Sequence, residues 1–289
     1  MKKQGLKEKL IEAEKCRQSG WGEGVIETGG YSKAIKLAES VLDEIGEPQD
    51  REEAILVGEA LKKIATSSQS QATHIAQSEK ERESLLEQSR ESLEKLMVLQ
   101  EPLVSENLGL DNKFFPWEPE IERLWARYYY KQPRNPKDNL PKAQNHYQGA
   151  VDSGFRMLKE VKDEVERLTL MGVIGTAIGE VARVKDERLH QLRERFDEKE
   201  IFKLYIEGCD MVWEIRNLPE PDFDRIDAVF WRTFRYLISH DVPLENKEFQ
   251  KLTSRYKILI KMSKLVSERV EILMEREKIP EGLKRALGY

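Results

Sequence analysis

Cysteine is almost missing from this sequence: Cys16 and Cys209 are the two among 289 residues, and neither belongs to a Cys-x-x-Cys pair. Two such residues build neither a disulfide framework nor a thiolate metal cage, so a reducing cytoplasm is the expected compartment. Histidine is equally scarce, with His74, His146, His190 and His240 scattered along the chain. Long apolar runs are also lacking. The most apolar stretch, 168–182, is too short to span a bilayer and is interrupted by Gly172, Gly175 and Gly179, which marks it as a buried helix. The opening Met1-Lys2-Lys3-Gln4-Gly5-Leu6 has none of the apolar core of a secretory signal. No apolar–polar alternation bounded by hairpin-turn residues occurs, which argues against a sheet. Gly20-Trp21-Gly22-Glu23-Gly24 is acidic, sits between helices and lacks a Gly-Lys-Ser/Thr ending, so it reads as a turn and not as a nucleotide-phosphate loop. No nucleophile and base stand at a catalytic spacing, and the chain is expected to be non-enzymatic and to use no cofactor.

What is present is helical pattern. Charged residues make up 35% and hydrophobic ones 39%, a mixture that suits amphipathic helices with wide solvated faces. Apolar residues recur in steps of three and four: Leu6, Leu10 and Ala13, then Ile35, Ala38, Val41, Leu42 and Ile45, then Ala54, Val57, Leu61 and Ile64. Ser32, Asp50, Asp197 and Asp222 stand where N-caps are expected. The third helix is expected to run through Ala65. The polar stretch 71–100 predicts a long helix projecting past the core, with Ile75, Leu85, Leu86, Leu93, Leu96 and Met97 in a thin seam. Prolines and aromatics between Glu101 and Pro119 predict a loop. A last long helix begins near Asn246 and carries Leu252, Tyr256, Leu259, Ser263, Val266, Val270 and Leu273. That coiled-coil-like seam packs either on the rest of the chain or on a second copy in a homodimer.

The segment Gly58–Ala65 returns 117 positions later as Gly175–Ala182, both copies helical and built on small residues. A helix leading into prolines and then into an aromatic, arginine-bearing helix also occurs twice, at 93–128 and at 210–234. Together these predict an all-α fold of antiparallel helical hairpins stacked as an α-solenoid. The expected division is a helical-repeat domain over 1–245 and a C-terminal long helix and tail over 246–289. The arrangement resembles the tetratricopeptide-repeat superfamily.

A second resemblance rests on particular residues. Leu6, Lys9, Ala13 and Glu14 match the first helix of 14-3-3 proteins in type and spacing, and Glu122–Tyr130 is similar to their arginine–tyrosine helix. His146-Tyr147-Gln148-Gly149-Ala150 resembles the helix after it, and Arg167-Leu168-Thr169-Leu170 with Glu180 the helix lining their groove. The resemblance implies a phosphate held by a lysine, two arginines and a tyrosine, and puts Lys62, Arg127 and Tyr128 at three of those places. The other arginine place falls near Ser68 or Gln69, and the groove asparagine falls at Val173. Losing one bidentate donor removes much of what makes a phosphate site strong.

Apart from any resemblance, Arg123, Arg127 and Lys131 are spaced i, i+4, i+8 on one helix face, beside Trp125 and Tyr128. Between 123 and 142 stand six cations and one acid, Asp138. Such a stretch attracts an acidic peptide, a phosphate or an RNA backbone while the aromatics stack. The structural alternative is a solvated face with Trp125 and Tyr128 in the core. Net charge is −8 over 1–120 and +3 over 121–289, an asymmetry too mild to demand a polyanion. A second basic group, Lys251, Arg255, Lys257, Lys261 and Lys264, is expected to be solvated or to line an oligomer rim. Glu187 and His190 have the Glu-x-x-His spacing of di-iron bundles, but the second motif and the two further inward glutamates are lacking, so no metal site is expected. The expected ligand-binding residues are Lys62, Arg123, Arg127, Tyr128 and Lys131, holding a protein or peptide segment, acidic or phosphorylated ones included, in a helical groove. Single-stranded RNA or DNA along 123–142 is the alternative partner, and no membrane partner is expected.

Overall fold

The computed structural model describes residues 2–19, 29–105, 117–132, 134–276 and 279–289. Among them are twelve α-helices, one short 3-10 turn and no strand, as an all-α fold requires. The chain divides into two compact units, Met1–Ala143 and Gln144–Tyr289.

In the first unit, α1 (Lys2–Ser19), α2 (Gly30–Ile45), α3 (Arg51–His74), α4 (Glu79–Ser105) and α5 (Trp117–Lys131) pack each on the next. A further helix, α6 (Pro136–Leu158), begins in this unit and continues into the second. Both α1 and α5 also touch α3, which is therefore the middle helix. Its sequence suits that place. Leu56, Ala60 and Ile64, four residues apart, join Leu6, Leu10, Ile35, Ala38 and Val41 on one side. Leu61 and Ala65 join Leu93, Leu96, Ile121, Leu124 and Trp125 on another.

Several local expectations are corrected here. The third helix does not stop near Ala65 but runs to His74, and its polar run Thr66-Ser67-Ser68-Gln69-Ser70 is buried. Hydrogen bonds satisfy part of that run, while Ser67 Oγ and Gln69 Oε1 find no partner among the described residues. Thr66 Oγ1 donates to the Lys62 carbonyl at 2.9 Å and Ser68 Oγ to Gln88 Oε1 at 2.9 Å. Gln69 Nε2 donates to Ser89 Oγ at 3.0 Å and to the Leu124 carbonyl at 3.3 Å. The chain breaks only after His74, where Ser78 Oγ accepts the Glu81 N–H and Glu81 Oε2 accepts the Gln77 N–H, a capping-box arrangement. Residues 71–100 are thus not one projecting helix, since α4 starts at Glu79 and buries Leu86, Leu93 and Leu96. Ser32 caps nothing: α2 begins at Gly30, and the Ser32 hydroxyl donates to Gln71 Oε1 at 3.2 Å. Asp50 does cap α3, accepting the Glu53 N–H at 2.9 Å. Of the loop expected at 101–119, residues 101–105 continue α4, while 106–116 and the glycine cluster at 20–24 lie outside the described residues.

The second unit holds the rest of α6, then α7 (Glu164–Gln191), α8 (Glu198–Glu214), a 3-10 turn (Ile215–Asn217), α9 (Phe223–Ser239), α10 (Lys247–Met262), α11 (Lys264–Arg276) and α12 (Glu281–Leu287). Asp163, Asp197, Asp222 and Asn246 each cap the helix that follows by accepting backbone N–H groups. α7 and α8 cross on glycine. A Cβ on Gly208 would lie 2.9 Å from the Gly175 carbonyl oxygen and 3.0 Å from the Gly179 nitrogen, so the second copy of the echoed segment is small where backbone meets backbone. The C-terminal seam belongs to the core formed by α8 and α9: Tyr256 lies 5.3 Å from Phe234 and 6.0 Å from Phe230 between ring centroids, with Leu252, Leu259, Val266 and Val270 around them. The expected single long helix is two, because Ser263 leaves helical geometry (φ −133°, ψ 113°) and its hydroxyl accepts the Val266 N–H at 3.3 Å. No helix among the described residues is long and apolar enough to cross a membrane.

Candidate functional site

The structure places Arg123, Arg127, Tyr128 and Lys131 on α5 and Lys62 on α3. They do not act as one row. Arg123 lies on Glu120 through N–H···O bonds of 2.7 and 2.6 Å, to a carboxylate whose side chain is 3% exposed. Such a bidentate, charge-assisted pair is strong and geometrically fixed. Arg127, one turn further on, faces α3, where its Nη2 donates to Ser70 Oγ at 2.9 Å. Its charge also reaches the buried Tyr31 of α2 and His74 at the end of α3. Burial pushes the Tyr31 hydroxyl up in pKa, against the pull of Arg127 and Arg17. Burial first, then the Lys131 and Arg127 charges, push the His74 imidazole down. Burial is the larger cause of both shifts, and at each group the neighbouring cations act in the direction expected of positive charge.

Tyr128 turns toward α4. Its ring meets Trp125 edge-on at 5.6 Å and Tyr129 at 5.3 Å, and burial raises its pKa while Arg90 opposes the rise. Lys131 lies 5.6 Å from the centre of the Tyr130 ring. Lys62 stands 3.9 Å from Glu59 and about 12 Å along the helix axis from Ser70, at ~1.5 Å per residue. Lys63, which the sequence reading did not select, is the α3 lysine on the stripe of Ser70, because seven residues make nearly two full turns. Its Nζ donates to Glu14 Oε2 at 2.9 Å, and Arg17 Nε donates to the same oxygen at 3.1 Å. Its spacing of seven from Ser70, beside the hydroxyl run at 66–70, is the sequence signal that could have found it. Elsewhere in the basic stretch, Arg134 pairs with Glu79 and Glu83 at 2.8 and 2.9 Å, and Lys142 lies 5.4 Å from the Tyr129 ring. On α10, Lys251 and Arg255 share Asp210.

The second unit joins residues that no sequence spacing joins. Asp186 and His190, one turn apart on α7, meet His240, which caps the C-terminal end of α9. Asp186 Oδ1 is 3.3 Å from His190 Nε2 and 3.4 Å from His240 Nε2, and the two imidazole nitrogens are 3.5 Å apart. The carboxylate partner of His190 is therefore Asp186 at i−4, not Glu187 at i−3. The third member stands fifty residues along the chain, where only tertiary packing supplies it. The same unit has an open cleft of about 650 Å³ lined by Met171, Phe202, Ile206 and Met211 together with Lys203, Glu207, Asp210 and Glu248.

These observations define an all-α protein of consecutively packed helices, with Arg127 of α5 set on the hydroxyl run of α3 in its first unit. Against protein-family models, curated proteins and solved structures, the chain has no match.

Proposed function

We propose that the protein is a non-enzymatic binding scaffold, its helices stacked as tetratricopeptide-like antiparallel hairpins with a 14-3-3-like cast, that holds an acidic or phosphorylated protein segment on the face formed by α2, α3 and α5. The observation that carries this reading is Arg127: its guanidinium rests on a neutral hydroxyl, Ser70 Oγ at 2.9 Å, beside Tyr31, and its charge is felt by the buried groups around it. A guanidinium oriented by a hydroxyl presents a planar fork whose geometry suits a carboxylate or a phosphate. Lys131 extends the field along α5, while on α3 Lys63 is paired with Glu14 and Lys62 stands 3.9 Å from Glu59, so both contribute less. Arg123 contributes less, because Glu120 already occupies its fork.

The single-stranded nucleic-acid alternative has less support. Base stacking needs open ring faces, whereas Trp125 is 8% exposed and lies stacked on Tyr129 at 6.0 Å. The cleft of the second unit is separate from this reading. The test is fluorescence anisotropy against a pool of acidic and phosphorylated peptides, using the full chain and the double variant Arg127→Gln, Lys131→Gln. Saturable binding by the full chain, weakened roughly tenfold or more in the variant with helicity unchanged, is the expected result. Equal binding by both proteins rules out this face.

A further inference from the structure

The geometry points to a zinc-class divalent cation site at Asp186, His190 and His240, with a fourth position open to solvent. The three donor atoms form a nearly equilateral triangle with edges of 3.3, 3.4 and 3.5 Å. Ligand bonds of about 2.0–2.1 Å at tetrahedral angles set neighbouring donors about 3.3–3.4 Å apart, whereas octahedral neighbours at the same bond length stand only about 2.9 Å apart. The triangle therefore has the spacing of a tetrahedral face. Protonated imidazoles bonded to a carboxylate would instead close to about 2.7–2.9 Å.

Protonation chemistry argues the same way. His240 Nδ1 stands 3.0 Å from the Tyr236 carbonyl oxygen. A proton donated there leaves the Nε2 lone pair directed into the triangle, the arrangement by which an outer partner fixes a metal-binding tautomer. The ring is held in place by Tyr236 at 4.1 Å between centroids, and Tyr236 in turn by Tyr205 at 4.6 Å. Asp186 Oδ1 is shielded from solvent and faces the two ring nitrogens at 3.3 and 3.4 Å. A shielded carboxylate oxygen that faces two imidazole nitrogens is an anionic ligand placed where a divalent cation takes it.

The surroundings favour positive charge. Asp186 and His190 lie in the last two turns of α7, and His240 terminates α9, so the negative ends of two helix dipoles meet there. The nearest cations of α7 are directed to other acids: Lys185 to Glu200, and Arg188 to Glu194 with Gln144. Three protein ligands with the His190 side chain 60% exposed leave room for a water or a substrate atom as the fourth ligand.

Zinc and cobalt ions are the probes for the test. Equilibrium dialysis of the full chain should retain one Zn2+ per chain, and Co2+ should give the intense visible bands of four-coordination. His190→Ala and Asp186→Asn should each lower Zn2+ affinity roughly a hundredfold or more, by loss of a first ligand. Glu187→Gln should leave it unchanged. His190 is exposed, so its variant is expected to fold, and circular dichroism checks that it does. Absence of stoichiometric Zn2+ in the full chain, or affinity unaltered in His190→Ala, overturns the site. Weak, octahedral-type cobalt spectra overturn its tetrahedral geometry.

Discussion

Glu14 shows how one carboxylate ties charge to stability in this fold. Burial alone would raise its pKa, but hydrogen bonds and charge from Arg17 and Lys63 pull it down to about 2. A depressed carboxyl contributes stability that is fully present above its unfolded value of about 4.3 and is lost as pH falls toward the folded value. Glu14→Gln should therefore destabilise the protein by about 1–2 kcal/mol at pH 7, a figure discounted for partial exposure. The gap between variant and parent should shrink between pH 4 and about 2. Urea titrations of both proteins across that range measure it, and a gap independent of pH would mean that the pairing carries no linkage. Arg127 is the contrasting residue. Its place on an arginine–tyrosine helix was readable from sequence, but its partners Ser70 and Tyr31 come from helices α3 and α2, whose juxtaposition no local pattern encodes.

At the scale of elements, what could be read locally is what local chemistry determines. Asp50, Asp197 and Asp222 cap their helices because a short acidic side chain reaches back to free N–H groups whatever the tertiary setting. The extent of α3 was not readable in this way. Its 66–70 run is polar because Gln88, Ser89 and the Leu124 carbonyl offer partners from α4 and α5, and polarity by itself reads as exposure. The glycines of α7 divide similarly: small residues at helical spacing announced a close crossing, but not that Gly208 of α8 was the partner. A methyl at Gly208 meets backbone atoms that cannot rotate aside. Gly208→Ala should accordingly cost about 1–3 kcal/mol through forced separation of α7 and α8. Gly5→Ala is the matched control: it lies in α1 with nothing within 4 Å of a new Cβ, and should stabilise by about 0.5–1 kcal/mol. Thermal melts of the two variants should shift in opposite directions, and equal shifts would remove close packing as the cause.

At the scale of the whole molecule, helical class was legible because a 3.6-residue period runs through nearly every segment, whereas the Asp186–His190–His240 cluster was hidden because its members are distant in sequence. The fate of the C-terminal seam lies between these cases. Its steps of four and three identified an apolar stripe, and a stripe says nothing of what covers it. In the structure the stripe is covered from within its own unit: Phe249, Leu252, Tyr256, Leu259, Val266, Val270, Leu283 and Leu287 are in one core with Phe230, Trp231 and Phe234. Asp227, buried under the same residues, accepts a hydrogen bond from Tyr256 and faces Arg269 of α11 at 3.6 Å. Burial raises the Asp227 pKa against the pull of Tyr256 and Arg269. Deleting residues 246–289 removes both of those partners and uncovers the aromatic face of α9. Several buried large side chains would then meet water, at roughly 1.5–3 kcal/mol each, which exceeds the margin of most domains. The truncated chain should therefore be aggregated or loosely packed in light scattering, with strong binding of an apolar dye. A monodisperse, cooperatively folding truncation would show instead that α10–α12 are an appendage whose seam is free to meet a second chain.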